Sequence, residues 1–361
     1  VELHGVYVDP NKRPLAREYN IKRTQEVLDR LNETAKINWN STQQVARILF
    51  DQMAIPVVEE TKSGAPSTKE SVLLQLRRKH PIVNDILKYR EYLKLGQFLN
   101  SWGEKLDENH YMHPGFLIHG TVTGRLSCRG PNLQQVPRDP FLRSLITAPN
   151  GRMFVEADYS QVELRIAAMV SRDVMMLQAF LTGQDIHRLT ASTVMGIPME
   201  DVEKADRKKA KAVNFGFLYG MGAKKFQEYA RDKYDVTLSM QEAKEFRDRF
   251  FNLYSGLPSW HQRQRDIVHK YGYVRSPIGR VRHLPEIKHY DRMKRGEAER
   301  QAINSPVQSF ASDLTLLSMV MMSKLFRPDQ LQVIGLIHDA ILLEIDAASN
   351  TGVDNVRDLK E

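Results

Sequence analysis

Two aspartates stand where the surrounding pattern makes a carboxylate unexpected. Asp158 closes the alternating apolar run 152–158, and Asp339 lies at the turn between the apolar runs 332–337 and 340–345. Their neighbours predict burial for both, and a buried carboxylate needs a cation or a hydrogen-bond network. On adjacent strand ends, the pair could share divalent metal ions about 4 Å apart and clamp a phosphoryl transfer. Magnesium suits such a pair, because it takes few protein carboxylates and completes its octahedron with water and phosphate oxygens. Taken singly, each aspartate fits a turn or a cap, and spacing alone does not bring them together.

A second pattern lies between them. Arg207, Lys211, Phe215 and Tyr219 recur every four residues. On a helix they form one slowly drifting stripe, with members about 6 Å apart over about 18 Å. Two cations followed by two aromatics suit a nucleotide lying along the helix, the cations on a triphosphate and the aromatics at sugar and base. A basic helix with aromatics facing the core would carry the same spacing. Gly216, Gly220 and Gly222 each weaken a helix by up to roughly 1 kcal/mol. They predict bending, or close approach by a ligand.

The elements that must position these residues follow from periodicity and breakers. The first hundred residues read as helical, with Thr24, Leu28, Leu31 and Ala35 on one face and capping boxes at Ser41/Gln44 and Ser67/Glu70. Glycines and prolines break 113–150 into loops and short extended pieces. A strand over 152–158 precedes a helix over 161–180, and 184–268 is helical and rich in Lys and Arg. A hairpin over 272–285 and a charged segment 288–300 come next. A long helix then turns Phe310, Leu314, Leu317, Met321 and Leu325 inward, and two strands meet at His338-Asp339. The class is α+β, a small sheet built from distant strands with helical insertions.

Length and composition bound the rest. At about 150 residues per domain, 361 residues predict two or three modules. A hydrophobic fraction of 42% excludes global disorder. Lys and Arg outnumber Asp and Glu by 52 to 44, and this +8 balance favours a polyanionic partner. One cysteine, Cys128, excludes an intrachain disulfide framework and a cysteine-cluster zinc site. No run of about 18 apolar residues predicts a membrane span. The chain reads as soluble and intracellular, with an N-terminus cut within something longer.

Several segments together resemble a known family. Asp158-Tyr-Ser-Gln-Val-Glu-Leu-Arg165 resembles motif A of the family A (bacterial polymerase I-like) DNA polymerases. The stripe from Arg207 to Tyr219 is similar to motif B, and Leu336-Ile-His-Asp339 to motif C, in family order. The segments 121–127, 131–134, 185–188 and 300–308, and the loop 64–68, also resemble family segments. The resemblance runs from Val1 to about Asp346. It implies a right-hand polymerase fold with a palm sheet, helical fingers and helical thumb. The thumb would span 1–112, the palm 113–180 and 271–361, and the fingers 181–270, with both ends truncated.

The resemblance also implies roles. Asp158 and Asp339, with the Tyr159 carbonyl, would hold two Mg²⁺ ions, for which Mn²⁺ substitutes. Arg207, Lys211 and His187 would contact the triphosphate, with Lys211 as proton donor to pyrophosphate. Phe215 would pack on the sugar, Tyr219 beside the templating base, and Glu163 under the 2′ position, with Gln161 also at the nucleotide. Arg125, Asn132, Gln134, Arg300, Asn304, Gln308 and His338 would meet the primer-template duplex. The implied activity is template-directed DNA synthesis from dNTPs by a monomer, in the cytoplasm or nucleoid, or in the host cytoplasm of a phage. There would be no proofreading exonuclease in these residues and no membrane partner.

Ala340 departs from the family by standing where motif C carries a third carboxylate; either two suffice, or Glu163 and waters compensate. Pro306 argues against one continuous helix through 300–308. Other readings are a single-subunit RNA polymerase, a phosphohydrolase using His338-Asp339, and a non-catalytic DNA-binding remnant.

Overall fold

The computed structural model of the chain describes residues 2–137, 139–337 and 339–347. Strand β1 (Val6–Tyr7) leads into helix α1 (Lys12–Thr34), then α2 (Thr42–Ala46), a π-helical turn over Arg47–Gln52, α3 (Glu70–Leu76) and α4 (Pro81–Gly103). Strand β2 (Tyr111–Met112) returns to pair with β1. Helices α1 and α4 pack together, and Val27, Leu31 and Ile86 share a core with Trp39, Leu49 and Leu73. The buried face of α1 is rotated from the expected one: Val27 and Leu31 are buried, whereas Thr24, Leu28 and Ala35 are only half-buried. Ser41 caps α2 by accepting from the Gln44 amide. The second box shifts, because the chain stays extended through Lys69, which becomes the N-cap of α3.

Strands β3 (Gly115–Leu117) and β4 (Ser127–Arg129) pair, and a 3₁₀ turn over Leu133–Gln135 and α5 (Pro140–Arg143) lead to β5 (Arg152–Asp158). The single helix expected over 161–180 is two, α6 (Val162–Ser171) and α7 (Val174–Leu181). Arg172 closes the first in the left-handed region at φ 54°, and Asp173 opens the second by accepting from the Met176 amide. Five helices follow: α8 (Ile186–Met195), α9 (Lys204–Leu218), α10 (Ala223–Tyr234), α11 (Met240–Leu253) and α12 (Gly256–Tyr271). They share a core centred on Phe217, Phe226, Phe250 and Tyr254. Gly216 serves that core. A side-chain carbon there would meet the Phe226 ring at 2.7 Å, so this glycine admits a packing partner rather than a ligand.

The expected hairpin forms from β6 (Tyr273–Arg275) and β7 (Val281–His283), before a 3₁₀ turn over Pro285–Lys288, α13 (Arg292–Leu325), β8 (Leu331–Ile337) and β9 (Ala340–Asp346). Helix α13 runs unbroken through Pro306, contrary to the sequence expectation. Its inward face also differs, since Leu317, Met321 and Leu325 are 53%, 59% and 71% exposed. The neighbouring stripe of Val307, Ala311, Thr315 and Met322 is buried instead. One residue of offset rotates a helix by about 100°, and both stripes carry helical spacing.

The central sheet is antiparallel in the order β5-β9-β8. Leu343 and Ile345 pack toward α13, and Phe154, Ile334 and Leu342 pack toward Trp102, Leu133 and Leu142. Burial on both faces explains why β8 and β9 read as continuous apolar runs. Among the described residues no helix is long and apolar enough to cross a membrane.

Candidate active site

The sheet register brings the two aspartates together. Asp158 at the end of β5 pairs with Ala340, the first residue of β9, so Asp339 is one step from it at the β8–β9 turn. Both line a cavity of about 540 Å³ with Glu156, Gln134, Arg143 and Ala340. The expected burial does not hold for Asp158. Its strand end opens into the cavity and leaves it exposed, whereas Asp339 is half-buried. Partial desolvation, then the charge of Asp339, then that of Glu156, raise the Asp158 carboxyl above the usual range. Excess negative charge on hard oxygen donors fits a divalent cation taking few protein ligands. Among the described residues no group of three or more His, Cys, Asp or Glu is placed to hold a metal.

Arg125 joins this corner to the rest of the site. Its Nη2 donates to Glu163 Oε1 at 2.6 Å and lies 3.4 Å from Asp339 Oδ1. Tyr219 donates to the other oxygen, Oε2, of Glu163. Both oxygens of Glu163 are thus engaged within the protein. The phenol of Tyr219 is pushed well above its ordinary range by burial, and then by Glu163.

The Arg125 loop is itself braced by residues that sequence reasoning missed. Ser312 donates to the Gly124 carbonyl at 2.9 Å, and Arg280 makes a bidentate pair with the buried Asp313. Gly124 has φ 80°, and a side chain there would strike the Arg280 guanidinium. The Asp313 carboxylate, the single charge within residues 301–323 of the helix, was the available signal.

The four-residue stripe forms as expected along α9. Arg207, Lys211, Phe215 and Tyr219 are all half-buried, while Ala210, Val213, Asn214 and Phe217 between them are buried. Tyr219 is the residue that ends the helix, and Gly220 follows at φ 72°. Arg207 donates to Asp185 Oδ2 at 2.6 Å, and Asp185 also caps α8 through the amides of His187 and Arg188. Burial works to raise the Asp185 carboxyl, but Arg207 and these amides hold it below its ordinary value.

His187 is 1% exposed and shares a hydrogen bond with Asn214 Nδ2 at 2.7 Å. Burial, then Arg207, with a further contribution from Lys211, lowers its pKa to about 4. Its ring lies 6.1 Å from Phe215. His187 thus meets α9 through Asn214 and lies beside Phe215.

A second cavity of about 590 Å³ gathers Arg125, Glu163, Phe215, Tyr219, Arg300, Asn304 and Gln308, contributed by four separate segments. Asn304 Oδ1 is buried there without a hydrogen-bond partner. Gln134 lines the first cavity, but its Nε2 donates to the Leu126 and Leu336 carbonyls. Asn132 caps the 3₁₀ turn through the Gln134 amide. Gln161, at φ 59°, precedes α6, and the Tyr159 hydroxyl bonds Ser318. His338 lies outside the described residues.

Sequence comparison decides the family. The profile of DNA polymerase family A matches residues 14–358. The chain belongs to DNA polymerase family A.

Among family A relatives, it is 36% identical over 358 residues to the thermostable DNA polymerase I of Thermus thermophilus, covering 96% of this chain and 42% of that protein. It is 34% identical over 361 residues to DNA polymerase I of Pseudomonas aeruginosa, covering 96% and 38%. The chain therefore spans about two-fifths of the length of these curated relatives. A solved family A structure, the polymerase domain of Pol1 from M. smegmatis in complex with DNA primer-template and dNTP, superposes with a TM-score of 0.87 at 27% identity. That match covers 98% of this chain and 63% of the other. The α+β class and the right-hand fold expected from the sequence hold.

Proposed function

We propose that this chain carries out template-directed DNA synthesis, joining a deoxynucleoside triphosphate to a primer 3′-hydroxyl with release of pyrophosphate. The observation that carries the reading is the chain of contacts Asp339–Arg125–Glu163–Tyr219, which ties the strand-end carboxylates to the α9 stripe. In this reading the thumb is 1–112, the fingers 181–270, and the palm the two segments around them.

Asp158 and Asp339, with the Tyr159 carbonyl, would hold two magnesium ions, which when bound supply charge neutralisation and orientation for an in-line displacement. Arg207 and Lys211 hold the triphosphate, and Lys211 Nζ supplies the proton to the leaving pyrophosphate. Phe215 packs on the sugar and Tyr219 lies beside the templating base. Glu163, held by Arg125 and Tyr219, closes the space under the 2′ position. Arg125, Arg300, Asn304 and Gln308 meet the minor groove of the terminal pair. Acceptors there look much alike for every correct pair, so these residues sense pairing geometry without sensing sequence.

Extension of a labelled primer-template with each dNTP alone, and then with ribonucleotides, tests the reading. Template-matched dNTP addition is expected. Comparable ribonucleotide addition would favour a single-subunit RNA polymerase, and no addition with either would contradict synthesis.

A further inference from the structure

The α13 face that lines the second cavity continues beyond it. Glu297, Arg300, Gln301, Asn304 and Gln308 line the cavity, and one more step at the same spacing reaches Met293, which is 81% exposed. From Gln308 to Met293 is about 22 Å along the helix axis. Just before the helix begins, Tyr290 is 91% exposed, and its ring stacks on His289 with centroids 4.4 Å apart and planes at 30°.

The pair, Tyr290 exposed and His289 half-buried, is held in place. Arg295 Nη1 donates to the carbonyls of both His289 and Tyr290 at 2.8 Å. The Asp291 amide donates to His289 Nδ1 at 3.0 Å, and Lys294 Nζ lies 3.3 Å from His289 Nε2. Asp291 in turn caps α13 through the Met293 amide. Within 288–295, Lys288, Arg292, Lys294 and Arg295 face a single carboxylate, Asp291. A fixed aromatic face in a segment rich in cations suits an unpaired nucleotide, whose base stacks while its phosphates meet the cations.

We propose that the His289–Tyr290 pair is a stacking platform for single-stranded nucleic acid running along α13 toward the second cavity. The proposal rests on the reading of that cavity as the duplex end, and the strand it takes is the unpaired template. From Arg300 to Met293 is about 10 Å, or about three stacked nucleotides. An overhang of one nucleotide therefore falls short of the platform, and one of about six reaches it.

The test compares binding of primer-templates with one-nucleotide and about six-nucleotide template overhangs by wild type, Tyr290→Ala and Tyr290→Trp. A parallel set carries abasic sites in the overhang. Wild type should gain about five- to thirtyfold in affinity from the longer overhang. Tyr290→Ala should lose that gain, Tyr290→Trp should keep it, and single-nucleotide addition on the short overhang should be unchanged in both. Abasic sites should remove the gain from wild type and nothing further from Tyr290→Ala, because a purely electrostatic contact does not need the base. Quenching of 2-aminopurine in the overhang by wild type but not by Tyr290→Ala gives a second readout. Equal overhang gains in wild type and Tyr290→Ala, or a gain that survives abasic substitution, would overturn the platform. Absence of any primer extension by wild type would instead count against the function proposed above, and Tyr290-dependent quenching with a bare oligothymidylate labelled with 2-aminopurine would still support the platform.

Discussion

The hydroxyl of Tyr219 donates to Oε2 of Glu163, closing the end of α9 onto the first turn of α6. Because Arg125 takes the other oxygen, the carboxylate is fixed between a phenol and a guanidinium. Its position beside Phe215 in one cavity makes these two residues the expected judges of the sugar.

Glu163→Ala should therefore raise ribonucleotide incorporation by opening space under the 2′ position. Phe215→Tyr should relieve discrimination against dideoxynucleotides, because its oxygen can interact where the 3′-hydroxyl is missing. A tenfold change in either ratio is about 1.4 kcal/mol, within reach of one contact. The measurement is kcat/KM for dNTP relative to rNTP and to ddNTP. Failure of each substitution to move its own ratio would put the α9 stripe elsewhere than on the nucleotide.

Ala340 pairs with Asp158, lines the carboxylate cavity and is buried. If the two aspartates suffice, Ala340→Glu should shift the magnesium or manganese optimum and change the maximal rate by less than roughly tenfold, or about 1.4 kcal/mol. Metal titrations of single-turnover incorporation check this. A much larger activation would mark the natural site as a weakened one.

Two buried histidines make the fold sensitive to acid. His187 and His261 each have a pKa near 4, lowered first by burial. A pKa depressed on folding means that the unfolded chain binds the proton more readily. The stability each contributes is complete above about pH 6.5 and is lost as the pH falls toward 4, by about 3 kcal/mol per histidine. His261 bonds the Leu218 carbonyl through Nε2 at 2.8 Å, and a glutamine amide could replace that donor without titrating. Urea unfolding between pH 7 and 4 should show a shallower loss for His261→Gln than for wild type. Identical pH slopes would contradict the assignment.

Duplex affinity should be electrostatic and largely indifferent to sequence, given the +8 balance. The logarithm of affinity should fall linearly with the logarithm of salt, with a slope reporting several phosphate contacts. Equal affinity at low and high salt would contradict this.

Local pattern carried much of this molecule. The 152–158 strand, the 272–285 hairpin and the β8–β9 pair were legible because alternation or an apolar run was bounded by turn residues. The α9 stripe was legible because four-residue spacing maps directly onto one helix face. Failures arose where tertiary contacts chose between equivalent local patterns. On α13 two apolar stripes competed, and the buried one carries Val307 and Ala311, which pack with Val162 and Ile166 of α6 and Trp260 of α12. Pro306 suggested a break that the long helix does not make. Burial of Asp158 was inferred from its apolar neighbours, but the strand end opens into a cavity. Arg280 and Asp313 could not be paired from sequence, since 33 positions separate them.

The most direct test of the account is single-turnover nucleotide incorporation by Asp158→Asn and Asp339→Asn beside wild type, with primer-template affinity measured on the same proteins. Each substitution keeps the shape of the strand end and removes its charge. Incorporation should fall at least about a thousandfold, or about 4 kcal/mol. Affinity for the duplex should change little, because basic side chains supply it. Near-normal incorporation by Asp339→Asn would contradict the assignment of the carboxylate pair as the catalytic centre.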